Sequence, residues 1–256
     1  MQMWLLNSFS MREEVELLLF QHLLSKTDWD LGLETAALVV AEAEYPGLNL
    51  GKYSGKLDRM GRRARKLVTE SAVEGTLPIV AVLRMLYEEM GFRGNVADYY
   101  DPKNSFLNDV LERRLGIPIT LALVIIGVCR RAGVKADGVS FPGHFLVRTQ
   151  DEQGNVFFVD PFDGHLLDEE SLQLLYEQTT GDPSDLDPAC LLPACKKQIL
   201  ARLLNNLRAI YEVRGDSTRL RKVLQRMAIL NPSAEINSRL ALLGSNLPLA
   251  PRLSVN

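Results

Sequence analysis

The residues with the clearest chemical potential lie in one stretch, SFPGHFLVRTQDEQGNVFFVDPFDG, residues 140–164. Apolar segments flank the polar DEQGN, and this pattern is typical of a β-hairpin. His144 and Asp160 each lie eight positions from Glu152. A hairpin folded about Glu152 therefore makes them cross-strand partners, unless a bulge at Gly154 shifts the register by one. An imidazole beside a carboxylate is the base and orienting group of nucleophilic catalysis.

A catalytic use of this pair needs a nucleophile, and the sequence offers only weak candidates. Cys129 lies near the C-terminal end of a predicted helix, where the helix dipole raises the pKa of a thiol, so we interpret it as a core residue. Cys190 and Cys195 fall in a connecting segment whose geometry the sequence does not define. Thr120 could meet His144, but a hydroxyl one turn inside a helix more often bonds a backbone carbonyl.

Further residues are candidates for lining a ligand cleft around the pair. Arg148 follows His144 by four positions and lies on the same strand face, where it could bind a carboxylate or pair at the sheet surface. The rest of the predicted cleft-lining set is Asn104, Pro118, Thr120 and Gly143. A metal site of His144, Asp160 and His165 is an alternative that we disfavour, and we predict no metal and no cofactor.

The chain before the hairpin is predicted to be helical. Leucine, alanine and valine recur at roughly helical spacing from residue 11 to 91, with breaks at TDWD and YPGLN. The third and fourth predicted helices cover about 53–70 and 78–91. The basic cluster GRRARK, residues 61–66, could contact phosphate, but we interpret it as a solvated helix face.

Two more helices lead directly into the hairpin and must position it. Asn104 or Ser105 is predicted to cap SFLNDVLERRLG, which Gly116 would end. Pro118 opens PITLALVIIGVCRRAG at the first-turn position where proline is favourable. Because this second segment is apolar on every side until Arg130, we predict that it is the buried central helix.

After the hairpin, the sequence predicts a domain boundary. The Pro- and Asp-rich stretch around residues 181–195 has the composition of a connector. Residues 196–244 have the length and pattern of a single, truncated tetratricopeptide-type helical hairpin that turns at Gly215. One such unit cannot bury its apolar face alone, so it should pack on the preceding domain, residues 11–180, or on a partner.

The bulk composition excludes several classes of protein. The chain has 256 residues, of which 46% are hydrophobic and 24% charged, and its net charge is -3. This is the profile of a soluble globular protein, and it disfavours non-specific binding to nucleic acid or membranes. The N-terminal MQMWLLNSFS lacks signal-peptide features, and Met1, Met3 and Met11 all remain possible starts. The longest uncharged apolar run, residues 115–129, is too short to span a bilayer, and cysteines without a CxxC pair fit the cytoplasm.

Several longer motifs, spread over about residues 35–240, resemble those of one family. They are YPGLN, GFRGNVADYYDPKNSFLNDVLERRLGIPITLALVI, GVSFPGHFLVR, FFVDPFDG and ILARLLNNLRAIY. They are similar to motifs of the bacterial SirB-type family, conserved proteins labelled uncharacterised or invasion regulators, in which a transglutaminase-like core precedes a tetratricopeptide segment. The resemblance implies an α+β fold with a papain- or transglutaminase-like core, a small antiparallel sheet, N-terminal helices and the C-terminal helical hairpin.

The resemblance also implies that His144 and Asp160 hold the second and third positions of a Cys-His-Asp triad. The cysteine of that layout stands at the N-terminus of the central helix, where this chain has Pro118. This chain also departs from the family's motifs at two other places. DPFDGHLL, with Asp163 and His165, stands where we expect DPFNGG, and a further helical repeat after SRLALLG is missing.

We therefore expect a non-catalytic, transglutaminase-like protein that acts as a binding, scaffolding or regulatory factor for an unidentified protein partner. The alternative is cysteine-independent acyl transfer or amide hydrolysis by His144 and Asp160, with Thr120 or a substrate-borne group as nucleophile. A role on nucleic acid has little support from the charge balance, and the oligomeric state is left open.

Overall fold

A computed structural model describes residues 2–72 and 75–245 as helices around two small sheets. The helices are α1 (Gln2–Leu24), α2 (Leu33–Glu42), α3 (Leu50–Ala72), α4 (Pro78–Leu83, continued by a π-helical segment, Arg84–Glu89), α5 (Leu107–Arg113), α6 (Pro118–Ala132), α7 (Glu169–Thr180), α8 (Lys196–Arg214), α9 (Ser217–Leu230) and α10 (Ala234–Ser245). The strands are β1 (Arg93–Gly94), β2 (Leu115–Gly116), β3 (Ala136–Val139), β4 (Leu146–Gln150), β5 (Val156–Asp160) and β6 (His165–Leu167). The helix-rich α+β class is confirmed, and none of the helices described is long and apolar enough to cross a membrane.

Helix α6 is the centre of the fold. It is buried along most of its length, because its sequence is apolar on all faces until Arg130. Helices α2, α3, α5 and α8 pack around it, and strands β3 and β4 cover another side. Pro118 is its first residue, and Gly133 ends it with a left-handed φ of 85°. The predicted buried central helix is therefore confirmed.

The larger sheet carries the hairpin identified in the sequence. Its strand order is β3-β4-β5-β6, and every neighbouring pair is antiparallel. The turn between β4 and β5 covers residues 151–155, as predicted. Asp151 closes it, because its Oδ1 accepts the Asn155 backbone N–H at 2.8 Å while Gly154 adopts a φ of 88°.

The register of this hairpin differs from the predicted one. Val147 pairs with Val159, so the hairpin is centred on Gln153 and not on Glu152. The predicted direct opposition of His144 and Asp160 is therefore wrong, since His144 precedes β4 and lies diagonal to the end of β5. A diagonal pair on the same face remains within reach of long side chains.

Two predicted helix boundaries before α6 are also wrong. Asn104 and Ser105 lie in a short 3-10 turn, and neither caps α5. Helix α5 ends at Arg113, its C-cap residue Arg114 adopts a left-handed φ of 62°, and Gly116 belongs to β2. The reason is tertiary: the chain after Arg114 extends in order to pair with β1 in the smaller, parallel sheet.

The C-terminal helices share the core of the rest of the chain. Helix α8 packs antiparallel on α9 across a turn at Gly215, and α9 also contacts α1. Leucine side chains of α8 lie in the same hydrophobic cluster as α6; they are Leu200, Leu203, Leu204 and Leu207. The apolar face of α8 is thus covered by the preceding part of the chain.

An ionic network centred on buried Glu34 ties α6 to two neighbouring helices. The Glu34 Oε1 of α2 accepts from Arg131 at 2.8 Å and from Arg130 at 3.3 Å, and Arg131 also donates to Asp58 of α3 at 2.6 Å. Burial raises the pKa of Glu34, but its backbone hydrogen bond and the two arginines outweigh burial and hold that pKa below its usual value. Gly127 provides the space, because a Cβ there would lie 2.8 Å from Glu34 Oε1.

Replacing Arg131 by alanine should destabilise the fold strongly. The Arg131→Ala change leaves the Glu34 carboxylate buried without its shorter ion pair, so we expect the free energy of unfolding to fall by about 3 kcal/mol. Urea denaturation measures the change. The matched control is Arg62→Ala, an exposed arginine of α3, which should alter stability by less than about 0.5 kcal/mol. Equal effects of the two changes would contradict the role of the network.

Glu34 should also give the stability a defined pH dependence. Its pKa is lower in the folded chain than the ordinary value of 4.5, so its contribution is full above that pH and is lost as the pH falls through the folded pKa. The Glu34→Gln change removes this titration. The difference in unfolding free energy between wild type and variant should therefore shrink between about pH 6 and about pH 3. A difference that grew on acidification would disprove the assignment.

Candidate functional site

The His144 imidazole and the Asp160 carboxylate are the centre of the candidate site. Nε2 of His144 lies 2.9 Å from Oδ1 of Asp160, and each side chain is 15% exposed. The same Oδ1 accepts the Phe162 backbone N–H at 2.8 Å, which fixes the orientation of the carboxylate. In the tautomer that carries the proton on Nε2, the ring donates to Asp160 and presents Nδ1 as its acceptor nitrogen. The pair thus has the form of a base with its orienting group.

A tight turn before β4 brings His144 to the end of β5. The His144 backbone N–H donates to the Phe141 carbonyl at 3.2 Å. Gly143 adopts a φ of 64°, and a Cβ there would lie 2.7 Å from the Cβ of Thr179 in α7. Both the positive φ and this close approach require glycine. Gly143, predicted as a cleft-lining residue, therefore shapes the turn that carries His144.

Aromatic side chains adjoin the pair. The Tyr99 ring lies 6.1 Å from the Phe162 ring, centroid to centroid, and the Tyr87 hydroxyl donates to the Pro161 carbonyl. Burial, followed by the negative charges of Asp160 and neighbouring groups, raises the pKa of Tyr87, and burial with nearby negative charge also raises that of Tyr99. Both phenols are therefore neutral around the carboxylate at physiological pH.

Arg202 of α8 reaches the turn that carries His144. Its Nη1 donates to the Phe141 carbonyl at 2.8 Å and to Ser140 Oγ at 3.1 Å, and its guanidinium lies 5.8 Å from the Phe145 ring centroid. Burial lowers the pKa of Arg202, and Tyr99 opposes this shift. The sequence interpretation missed Arg202. The available signal was a charged residue beside the apolar stripe of α8.

The N-terminus of α6, where the implied layout has its nucleophile, is occupied by buried structural residues. Pro118 is buried at the first position. Thr120 is fully buried, and its Oγ1 donates to the Asn104 carbonyl at 2.6 Å and accepts the Ile117 backbone N–H at 3.2 Å. Within the described residues, none of the hydrogen bonds of this hydroxyl goes to His144. Thr120 therefore closes the helix start.

Asn104 organises the loop that precedes α5. Its Nδ2 donates to the carbonyls of Asp98 and Tyr99 at 2.7 and 3.1 Å, and its Oδ1 accepts from Asn95 Nδ2 at 3.0 Å. The side chain is fully buried. Its amide is thus engaged within the chain, and through Tyr99 it holds one wall beside the pair.

Arg148 and His165 have partners of their own. With its side-chain amide in the orientation that satisfies both groups, Gln150 accepts from Arg148 Nη2 at 2.8 Å. His165 is exposed, and its Nδ1 lies 3.0 Å from Asp163 Oδ2. Among the residues the structure describes, no group of His, Cys, Asp and Glu side chains is arranged to hold a metal ion. The alternative metal site of His144, Asp160 and His165 thus has no structural support.

None of the three cysteines is at the start of α6 in the sequence. Cys129 is in the core near the end of α6, and burial raises the pKa of its thiol to about 12. The interpretation of Cys129 as a core residue is therefore confirmed. Cys195 is the N-cap residue of α8, where its N–H donates to Gln198 at 2.8 Å, and Cys190 is half-buried in the connector.

The basic cluster at residues 61–66 belongs to the surface of α3. Arg63 pairs with Glu89, Arg65 donates to the Arg131 carbonyl at 2.6 Å, and Lys66 lies 3.7 Å from Glu70. These contacts agree with a solvated helix face.

Known proteins resemble this chain in sequence. The family model of the transglutaminase-like superfamily matches residues 51–205. A UPF0162 protein of Xylella fastidiosa is 41% identical over 205 residues, which are 78% of this chain and 72% of the relative. A UPF0162 protein of Pseudomonas aeruginosa is 30% identical over 197 residues, 77% of this chain and 71% of the relative. F-box only protein 21 of Mus musculus is 44% identical over 68 residues, 27% of this chain and 11% of that protein. No solved structure matches the chain.

The structural role of Thr120 can be tested by removing its hydroxyl. The Thr120→Val change leaves the buried Asn104 carbonyl and Ile117 N–H without this partner, so we expect the free energy of unfolding to fall by about 1–3 kcal/mol. Thr120→Ser is the matched control, since it keeps the hydroxyl and should lose less. Equal stability of the valine variant and the wild type in urea denaturation would show that the hydroxyl does not cap α6.

Proposed function

The chain belongs to the transglutaminase-like superfamily and to the UPF0162 family, and we propose that it is a non-catalytic member that acts as a protein-binding or scaffolding factor. The observation that carries the proposal is the buried Pro118 at the start of α6. Acyl transfer by a Cys-His-Asp site needs a thiolate stabilised by a helix N-terminus and a neighbouring imidazole. Proline supplies neither a thiol nor a hydroxyl.

The contacts of His144 and Asp160 support a structural role for this pair. Asp160 Oδ1 is shared between His144 and the Phe162 N–H, and Arg202 anchors the turn that carries His144. These contacts join the start of β4, the end of β5 and α8. In the proposed function, the pair stabilises this junction and takes no proton from a substrate.

In the proposed domain organisation, a partner does not bind the apolar face of the C-terminal helices, because that face packs on the core. We propose a transglutaminase-like domain over residues 11–180, a connector over 181–195 and a tetratricopeptide-like unit over 196–244. Helix α8 has its apolar face against α6 and α2, so that face is not available to a partner. A partner must therefore use edges and surfaces that the described chain leaves uncovered.

A second candidate function is cysteine-independent acyl transfer or amide hydrolysis. The 2.9 Å contact between His144 and Asp160 favours it, because this is the geometry of an oriented general base. Two observations count against it: the Thr120 hydroxyl donates to the Asn104 carbonyl, and Cys129 is buried. This function would require a nucleophile brought by the substrate.

Restoring a thiol at Pro118 tests the proposal. In a background with Cys190→Ser and Cys195→Ser, the Pro118→Cys thiol should stand at the start of α6 beside an imidazole. We expect its pKa to lie at least about one unit below the ordinary 8.5 and to rise when His144→Ala is added. The ultraviolet absorbance of the thiolate, followed against pH, gives this value, and Cys129 serves as the buried internal control.

The measured pKa of the new thiol distinguishes a catalytic site that lacks only its nucleophile from a site that is not catalytic in layout. A lowered pKa that depends on His144 means that only the nucleophile is missing from the site. A thiol pKa at or above the ordinary value, with or without His144, would show that Pro118 does not stand in for the nucleophile and would remove the basis of the proposal.

A further inference from the structure

A groove of about 600 Å³ lies against the outer edge of β3, and residues of α6 and α8 also line it. Neither His144 nor Asp160 lines it. Its walls include Ile126 and Arg130 of α6, Ile199 of α8 and the indole-bearing Trp29 before α2. Its volume is in the range of sites that bind ligands or short peptide segments.

The floor of this groove is an unsatisfied strand edge. Strand β3 is an edge strand of the larger sheet. The Lys135 carbonyl faces β4, where it accepts from Thr149 Oγ1 at 2.6 Å, and the Gly138 carbonyl faces outward, where it accepts from the Ala194 N–H at 2.8 Å. Strand alternation therefore turns the N–H and C=O of Ala136 and the N–H of Gly138 outward as well. The hydrogen bonds of the described residues include no partner for these groups.

The chain itself already adds a short extended segment to this edge. Pro193 forms an antiparallel bridge with Val139, next to the hydrogen bond from Ala194 to Gly138. The bridge stops before Ala136. The edge thus accepts extended backbone, and the part of it that borders the groove is left open.

An exposed tryptophan stands at the groove. Trp29 is 91% exposed, and its backbone carbonyl is held by Lys196 Nζ at 2.9 Å. A large aromatic side chain on a fixed backbone, beside unpaired strand groups, has the properties of a binding hot spot. In the free protein, this apolar surface faces water.

The charges around the groove indicate the kind of partner. Exposed Arg130 and Lys135 lie along its rim. Lys196 is a third cation of the lining, and Asp28 and Asp137 are its two carboxylates. Arg130 shares the Glu34 carboxylate with Arg131, whereas Lys135 has no ion pair among the described residues. Three cations and two carboxylates give the lining a net positive charge, which favours an acidic segment.

We propose that the β3 edge and Trp29 bind an extended, acidic segment of a partner protein by β-strand addition. The open groups of Ala136 and Gly138 pair with its backbone, an apolar side chain contacts Trp29, and its carboxylates lie near Arg130 and Lys135. A second folded copy of this chain is less favoured, because residues of α6 and α8 line the groove beside this edge. The inference rests on the proposed function as a binding protein and names where and what it binds.

Selection from a displayed library of random heptapeptides tests the inference. The library is selected on the full chain and counter-selected on the Trp29→Ala variant. We expect enrichment of acidic sequences with alternating β-branched or aromatic residues, and the affinity of an enriched peptide, measured by fluorescence anisotropy, should fall at least tenfold in Trp29→Ala. Ala136→Pro, which removes an outward N–H that β4 does not use, and Lys135→Glu should each weaken binding at least fivefold. Tyr100→Ala, which removes an aromatic side chain that is 72% exposed, is the matched control and should leave the affinity unchanged.

The results that would overturn peptide binding at the groove differ from those that would overturn the proposed function. Absence of any Trp29-dependent peptide, enrichment of basic peptides, or unchanged affinity in Ala136→Pro would overturn the inference and leave the non-catalytic assignment intact. A dimer in sedimentation velocity that Ala136→Pro abolishes would assign the edge to a second copy and also overturn it. Acyl transfer that requires His144 would overturn the proposed function without affecting peptide binding at the groove.

Discussion

The need to cover helix α6 on every side determines most of this structure. Its apolar surface extends around the whole helix for most of its length, and any uncovered face would expose hydrocarbon to water. The N-terminal helices, the C-terminal helix α8 and the strands β3 and β4 all satisfy this one requirement. The two ends of α6 are then closed by polar contacts, Thr120 at the start and the Glu34–Arg131 pair near the end. Domain-like segments far apart in sequence share one core for the same reason.

We propose that the same requirement removes the chemistry that the hairpin suggests. A helix N-terminus offers free N–H groups and a positive dipole, which a nucleophile can exploit. Here proline occupies the first position and the Thr120 hydroxyl bridges Asn104 and Ile117, so the end of the helix is sealed by packing. His144 and Asp160 keep their contact, but their partners are the turn around Phe141 and the Phe162 N–H. In the proposed non-catalytic function, this location serves stability and not catalysis.

Some of this arrangement could be predicted from the sequence, because local patterns determine it. The all-apolar run from Pro118, the turn over DEQGN and the core position of Cys129 follow from periodicity and turn chemistry alone. The hairpin register cannot be predicted in this way, since the Asp151 side chain and the positive φ of Gly154 select one of two neighbouring registers. The end of α5 at Arg113 depends on pairing with β1, and the approach of Arg202 depends on how α8 packs. Contacts between segments distant in sequence leave no periodic signal, so the groove at Trp29 is visible only in three dimensions.

We propose that the oriented His144–Asp160 pair has no nucleophile to activate. This can be tested by intact-protein mass spectrometry of the wild-type chain after incubation with an activated ester such as p-nitrophenyl acetate, with His144→Ala treated in parallel. We expect the same low, non-stoichiometric acylation of both proteins. A stoichiometric acyl adduct on the wild type that is absent from His144→Ala would contradict it, because such an adduct requires a nucleophile that depends on this imidazole.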